Sequence, residues 1–189
     1  MQVAGALLVA FSASILAVSA AGAAADTNLV INGTFANSNK GFTSQYAFTT
    51  NLTPPATYTI GLDPNKYNGN WPTIKPHDAT GMMMIVNGST AANKTVWSET
   101  LAVKPDSSYV FALWVASLYA SPPVLKFSAN GTTLGSESAS TTVGAWKKIF
   151  FPWQSGSSKS VTLSLVDTNL AYGGNDFALS DVAFTGPAA

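Results

Sequence analysis

Two antiparallel β-sheets packed face to face are what this sequence predicts, and three observations carry the prediction. From Asp26 onward, short segments rich in Val, Ile, Thr, Phe, Tyr and Trp recur between clusters of Gly, Pro, Asn and Ser. No stretch beyond that point shows the period of a long amphipathic helix. Val161-Thr162-Leu163-Ser164-Leu165 alternates cleanly, as a strand does when one face is buried and the other wet. Tyr109-Val110-Phe111-Ala112-Leu113-Trp114-Val115-Ala116 is apolar on both phases, so this strand needs the second sheet on one face and further cover on the other.

The first 25 residues are a different material. They carry no charged side chain, and an apolar run from about Ala4 to Val18 leads into small residues ending Ala23-Ala24-Ala25 before Asp26. That is the pattern of a signal peptide with its cleavage site, although the usual basic n-region is missing. A membrane anchor is the alternative, but the many Ala, Ser and Gly make a poor span. The reading is a hydrophobic signal segment over 1–25 and one β-sandwich domain over 26–189. The mature chain is expected without a transmembrane segment, secreted or held at the cell surface.

Strands are predicted near 28–32, 45–50, 56–61, 81–87, 94–103, 107–119, 123–130, 145–154, 159–167 and 176–185. Asn-Gly pairs at Asn32, Asn68, Asn87 and Asn130 mark turns, because both residues tolerate positive φ. The last of them reads as a tight hairpin between Leu125-Lys126-Phe127 and Thr132-Thr133-Leu134. The irregular stretch from about Thr50 to Thr80, rich in Pro, Asn and aromatics, is the expected cover for the outer face of the doubly apolar strand. In the last strand, Phe177 and Leu179 share one phase and Val182 and Phe184 the other. A one-residue slip of this kind predicts a bulge near Ser180-Asp181 that turns Asp181 sideways. The expected neighbour is the first strand, with Asp181 facing the turn Asn32-Gly33-Thr34.

Composition removes several functions. Nine Lys and no Arg balance nine acidic residues, so nothing favours a nucleic-acid partner. The absence of Cys removes disulfides, zinc-thiolate sites and cysteine nucleophiles together.

Four segments resemble, in order, the galactose-binding-like jelly rolls that include carbohydrate-binding modules of families 4, 9 and 22. Leu29-Val30-Ile31-Asn32-Gly33-Thr34-Phe35 resembles their opening, Pro105 to Trp114 a central strand, and Phe177 to Phe184 their close. Met84-Ile85-Val86-Asn87-Gly88 followed by Val96-Trp97-Ser98-Glu99-Thr100 is similar to an exported bacterial subgroup, mostly uncharacterised. The resemblance implies a jelly-roll sandwich that binds sugars or attaches to surfaces without catalysis. It also implies a structural calcium, for which Asp181, Asn32 and Thr34 are the candidate ligands. The Glu that follows the opening Phe in many relatives is Ala36 here, and their closing Asp pair reads Ser180-Asp181, so fewer charged ligands remain. The alternative is that Asp181 only caps the bulge by local hydrogen bonding.

Sugar rings need aromatic faces for their C–H surfaces and amide or carboxylate groups for their hydroxyls. Tyr67, Asn70 and Trp71 supply both within five residues, and Tyr46, Asn175 and Asp176 are expected nearby. Trp114, between Ala112 and Ala116 on its phase, is either a flat platform or a covered residue. Catalysis has thinner support: His77, the one histidine, sits in Lys75-Pro76-His77-Asp78 and reads as a turn residue, and no Gly-x-Ser-x-Gly elbow occurs. Five Asn-x-Ser/Thr sequons read as turn chemistry outside a eukaryotic source. The expected partner is therefore a carbohydrate or cell-surface glycan. The alternatives are a self-associating structural protein of a matrix or surface layer and, more weakly, a glycan-active enzyme.

Overall fold

A computed structural model describes residues 26–189, so the leader expected over 1–25 lies outside the described residues. In chain order the strands are β1 (Thr27–Asn28), β2 (Ala47–Phe48), β3 (Thr57–Gly61), β4 (Met83–Asn87), β5 (Thr95–Ala102) and β6 (Ser108–Ser117). They continue as β7 (Val124–Ala129), β8 (Thr132–Ser138), β9 (Trp146–Gln154), β10 (Ser160–Asp167) and β11 (Phe177–Gly186). One sheet runs β2-β3-β4-β11-β6-β9, with β1 beside the second half of β11; the other runs β5-β10-β7-β8. Pairing is antiparallel except between β2 and β3, so the sandwich expected from the alternation is the fold observed. A single-turn 3-10 helix at Pro64–Lys66 is opened by Asp63, whose carboxylate accepts the Asn65 N–H. Among the described residues no helix is long and apolar enough to cross a membrane.

The two phases of β6 part as the sequence requires. Tyr109, Phe111, Leu113 and Val115 enter the core between the sheets, where Phe111 meets Phe127 of the opposite sheet edge-on at 5.0 Å. Phe184 stacks on Tyr109 at 4.9 Å and 6°. Each such ring contributes about 2–3 kcal/mol by leaving water, and these aromatics hold the sheets at a fixed separation. At the other end of β7, Asn130 and Gly131 take φ of +50° and +77° and close the expected hairpin to β8.

The bulge is where the parity slip placed it. Ser180 pairs with Trp114 and Ala183 with Ala112, leaving Asp181 and Val182 opposite Leu113 alone. Asp181 takes φ +51°, a left-handed conformation that a bulge prefers to give to Gly and that Asp tolerates better than most. The Val182 N–H, released from β6, donates to the Gly33 carbonyl at 2.9 Å. A Cβ at Gly33 would lie 1.9 Å from the Val182 carbonyl oxygen, so only Gly fits the opening turn against the bulge.

The first strand does lie beside the last, with the Leu29 N–H donating to the Phe184 carbonyl. It is shorter than the predicted 28–32, because Asn32 draws the chain away into the loop 32–40. Its Oδ1 accepts the Asn37 N–H, and its amide donates to the Ser38 and Lys40 carbonyls.

Candidate functional site

The outer face of the seven-stranded sheet is divided in two. Over Met83, Ile85 and Ala178 lies the stretch 50–80, which buries Leu52 and Trp71 and half-buries Tyr67 and Ile74. The Asn87 amide donates to the Leu52 carbonyl at 2.7 Å, and the Asn65 amide donates to the Trp71 carbonyl at 2.8 Å. The Trp71 indole N–H donates to Asp176 Oδ2 at 3.1 Å, and the Gly88 N–H donates to Oδ1 at 3.2 Å. This cover lies over β4 and β11; on β6 the same stretch lays the His77 ring on Trp114 and leaves Val110 exposed.

That packing corrects the expected sugar platform. Trp71 is 2% exposed and Tyr46, in the core between the sheets, 4%. Asn175 is buried and spends its amide on the Ser89 and Asn169 carbonyls. Asp176 is committed to Trp71 and Gly88, and burial raises its pKa against those two donors. Tyr67 packs its hydroxyl over Gly61, where a Cβ would come within 2.6 Å of it. Only Asn70 is exposed. An amphipathic Trp gains most by burying its ring and giving its N–H to a carboxylate, and a loop Trp in a sequence does not disclose which it has done.

The other half of the face is open. Its organising contact is His77, whose Nδ1 lies 2.7 Å from Asp181 Oδ2 and whose ring stacks on Trp114 at 3.7 Å and 13°. The loop that carries His77 is fixed on both sides: the Trp146 indole donates to the Lys75 carbonyl, and Asp78 accepts the backbone N–H and hydroxyl of Thr80. Those two Thr80 donors hold the Asp78 carboxyl below its usual range. His77 is thus more than a turn residue, and its partner lies 104 positions away in sequence. Nε2 has no hydrogen-bond partner among the described residues. Beside the stack, pairing places Lys148 opposite Trp114, Phe150 opposite Ala112 and Pro152 opposite Val110. Phe150 is 60% exposed and Val110 39%. Ala112 and Ala183, paired across β6 and β11, form a low floor between these groups.

Of the oxygens expected to hold calcium at the bulge, Asn32 Oδ1 accepts from Asn37, the Thr34 carbonyl accepts the Met82 N–H, and Asp181 Oδ2 meets His77, while Asp181 Oδ1 is buried without a partner. Among the described residues no three His, Cys, Asp or Glu side chains gather as a metal cluster.

A second polar cluster lies inside the end of the sandwich. Asp167 Oδ1 accepts the Val124 and Asn169 N–H groups at 3.0 Å each, while Oδ2 is buried without a partner. Burial pushes the Asp167 carboxyl up to about 7. The Tyr46 phenol is pushed up as well, by burial first and by the Asp167 charge second.

No family model and no curated protein matches this chain. Solved structures do match it. The CBM22-1-CBM22-2 tandem of Paenibacillus barcinonensis Xyn10C superposes with a TM-score of 0.54 at 16% identity, over 90% of this chain and 48% of that one. A cyclase from Fischerella sp. TAU superposes with 0.55 at 12% identity, over 87% and 98%. The sugar-binding C-terminal domain of EclA gives 0.44 at 16% identity, over 48% and 66%. The chain therefore spans about half of the tandem and just under two thirds of the EclA domain. At such identities what is shared is the fold, a sandwich of two β-sheets.

Proposed function

We propose that this chain is an exported, non-catalytic carbohydrate-binding module whose binding face is the open half of the seven-stranded sheet. One observation carries the reading: a low floor of Ala112 and Ala183 is flanked by exposed Phe150 and Val110 on one side and by the Trp114–His77–Asp181 group on the other. Such a strip offers apolar surface for sugar C–H faces. His77 Nε2, Lys148 and Asp181 supply donors and acceptors for hydroxyls within reach of that surface. The fold shared with the CBM22 tandem supports it. A glycan array should give a saturable ligand class, and Phe150→Ala should weaken it by roughly tenfold with no loss of thermal stability. An array without signal, or full binding by Phe150→Ala, would remove the reading.

A second reading is favoured by the 2.7 Å His77–Asp181 contact and by the cyclase neighbour: an enzyme in which Asp181 orients His77 for proton transfer at Nε2. Turnover of a small apolar substrate, abolished by His77→Gln while glycan binding persists, would select it.

A further inference from the structure

We propose that Glu99, on the other sheet, anchors a binding site for a primary ammonium group carried on a short apolar stem. Along β5 the residues on the core-facing phase are Trp97, Glu99 and Leu101, and Glu99 pairs with the buried Leu163 of β10. A carboxylate therefore occupies a position that the strand's period reserves for an apolar side chain, and it is only 6% exposed. Its one protein donor is the Ile31 N–H, 3.2 Å from Oε1. Neither ion pair found among the described residues involves it. An ionised carboxylate offers several lone-pair sites, and leaving it buried without a counter-charge is costly. The same burial raises its pKa, opposed by the Ile31 N–H.

Glu99 opens into a groove of about 350 Å³ between Ile31, Phe42, Thr43, Ser98 and Thr100. Two of the groove's three hydroxyls are already spent as donors, and the third, of Thr100, shares a hydrogen bond with the Thr162 hydroxyl. Thr43 Oγ1 donates to the Ser98 carbonyl at 3.3 Å, and Ser98 Oγ donates to the Leu163 carbonyl at 2.7 Å. The Thr43 and Ser98 oxygens are left with lone pairs only, so beside Glu99 the groove presents mainly acceptors. An ammonium is all donor and carries the missing charge. With a single carboxylate the site lacks the ligand set of a divalent cation. The apolar lip matches a short stem: Ile31 is 74% exposed, and Phe42 lies half-buried over Trp97 at 6.4 Å. The shared chemistry belongs to a lysine side chain and to an amino sugar alike.

The test is a titration of the ¹⁵N-labelled chain with n-butylammonium chloride, with n-butanol as the uncharged control. The expected result is saturable movement of the Ile31, Thr43 and Thr100 amide signals by the ammonium and none by the alcohol. Glu99→Gln, which keeps an oxygen for the Ile31 N–H, should weaken binding by about tenfold, the loss of one charge-assisted contact. Equal movement by butanol, no saturable movement, or undiminished binding by Glu99→Gln would overturn the site. The butanol comparison decides on wild type alone should the variant not fold. Nα-acetyl-lysine methylamide and glucosamine, titrated in parallel, tell the two sources apart. Phe150→Ala leaves this site intact whatever it does to glycan binding.

Discussion

His77 Nδ1 stands 2.7 Å from Asp181 Oδ2, and this contact joins the cover loop to the one irregular point of the central strand. The bulge supplies the direction: without the extra residue, Asp181 would take a regular place on the strand instead of reaching sideways to the loop. The pair is partly exposed, so it contributes on the surface scale of about 0.5–1 kcal/mol.

The first prediction separates the pair from the backbone beneath it. Asp181→Ala loses the His77 contact and keeps a non-Gly residue at φ +51°. Asp181→Gly loses the same contact but relieves the left-handed strain, about 1 kcal/mol. In urea melts, Asp181→Gly should therefore be the more stable variant by about that amount. Equal stabilities would mean that the bulge does not persist in the variants.

Calcium is expected to leave the melting temperature unchanged, since Asp181 is the one carboxylate there and Asn32 Oδ1, the Thr34 carbonyl and Asp181 Oδ2 already serve protein contacts. Melts in calcium and in chelator check this. A rise with calcium that disappears in Asp181→Ala would return the cation to the bulge.

Asp167 predicts a pH dependence with a definite sign. Its folded pKa of about 7 lies above the ordinary carboxyl value of 3.8, so its contribution is fully present below about 4 and is lost as pH rises towards 7. The loss is on the order of 3 kcal/mol. Asp176 and Glu99, also raised by burial, add a slope of the same sign. Asp167→Asn keeps an oxygen for Val124 and Asn169 and should flatten most of the slope between pH 4 and 7 in denaturant melts. An unchanged slope would contradict the assignment to Asp167.

Trp71→Phe tests the corrected platform. It removes the N–H that holds Asp176 and leaves space under the loop, so stability should fall by about 2–3 kcal/mol, with glycan binding unaltered. Lost binding at full stability would restore Trp71 as a sugar contact.

What was legible in the sequence was whatever parity encodes. The phases of β6, the slip in β11 and the Asn130-Gly131 hairpin all follow from which residues can share a face or a turn. The cover loop was legible for a related reason, since an outer phase of Ala112, Trp114 and Ala116 cannot be left wholly to water. What was not legible depended on orientation within loops. Tyr67 and Trp71 face the sheet because the cover needed their area, and their spacing carries no trace of that need. His77 and Asp181 meet across 104 positions, with only the bulge to hint that Asp181 was aimed anywhere. Glu99 did break the apolar phase of β5, and that irregularity was readable; its meaning required the groove beside it.

The place of β11 has a consequence for how the chain assembles. It is the last strand in sequence, yet it lies in the middle of its sheet, bonded to β4 and β1 on one side and β6 on the other. Synthesis proceeds from the N-terminus, so every neighbour of β11 is made before it, and until Phe177–Gly186 emerges the sheet is two fragments with facing raw edges. The Gly33–Val182 hydrogen bond must then close a loop of almost the whole domain, the slowest kind of contact to form. Folding of this sheet is thereby deferred until Phe177–Gly186 has been made, and a chain stopped short of Phe177 exposes β4 and β6 as templates for aggregation.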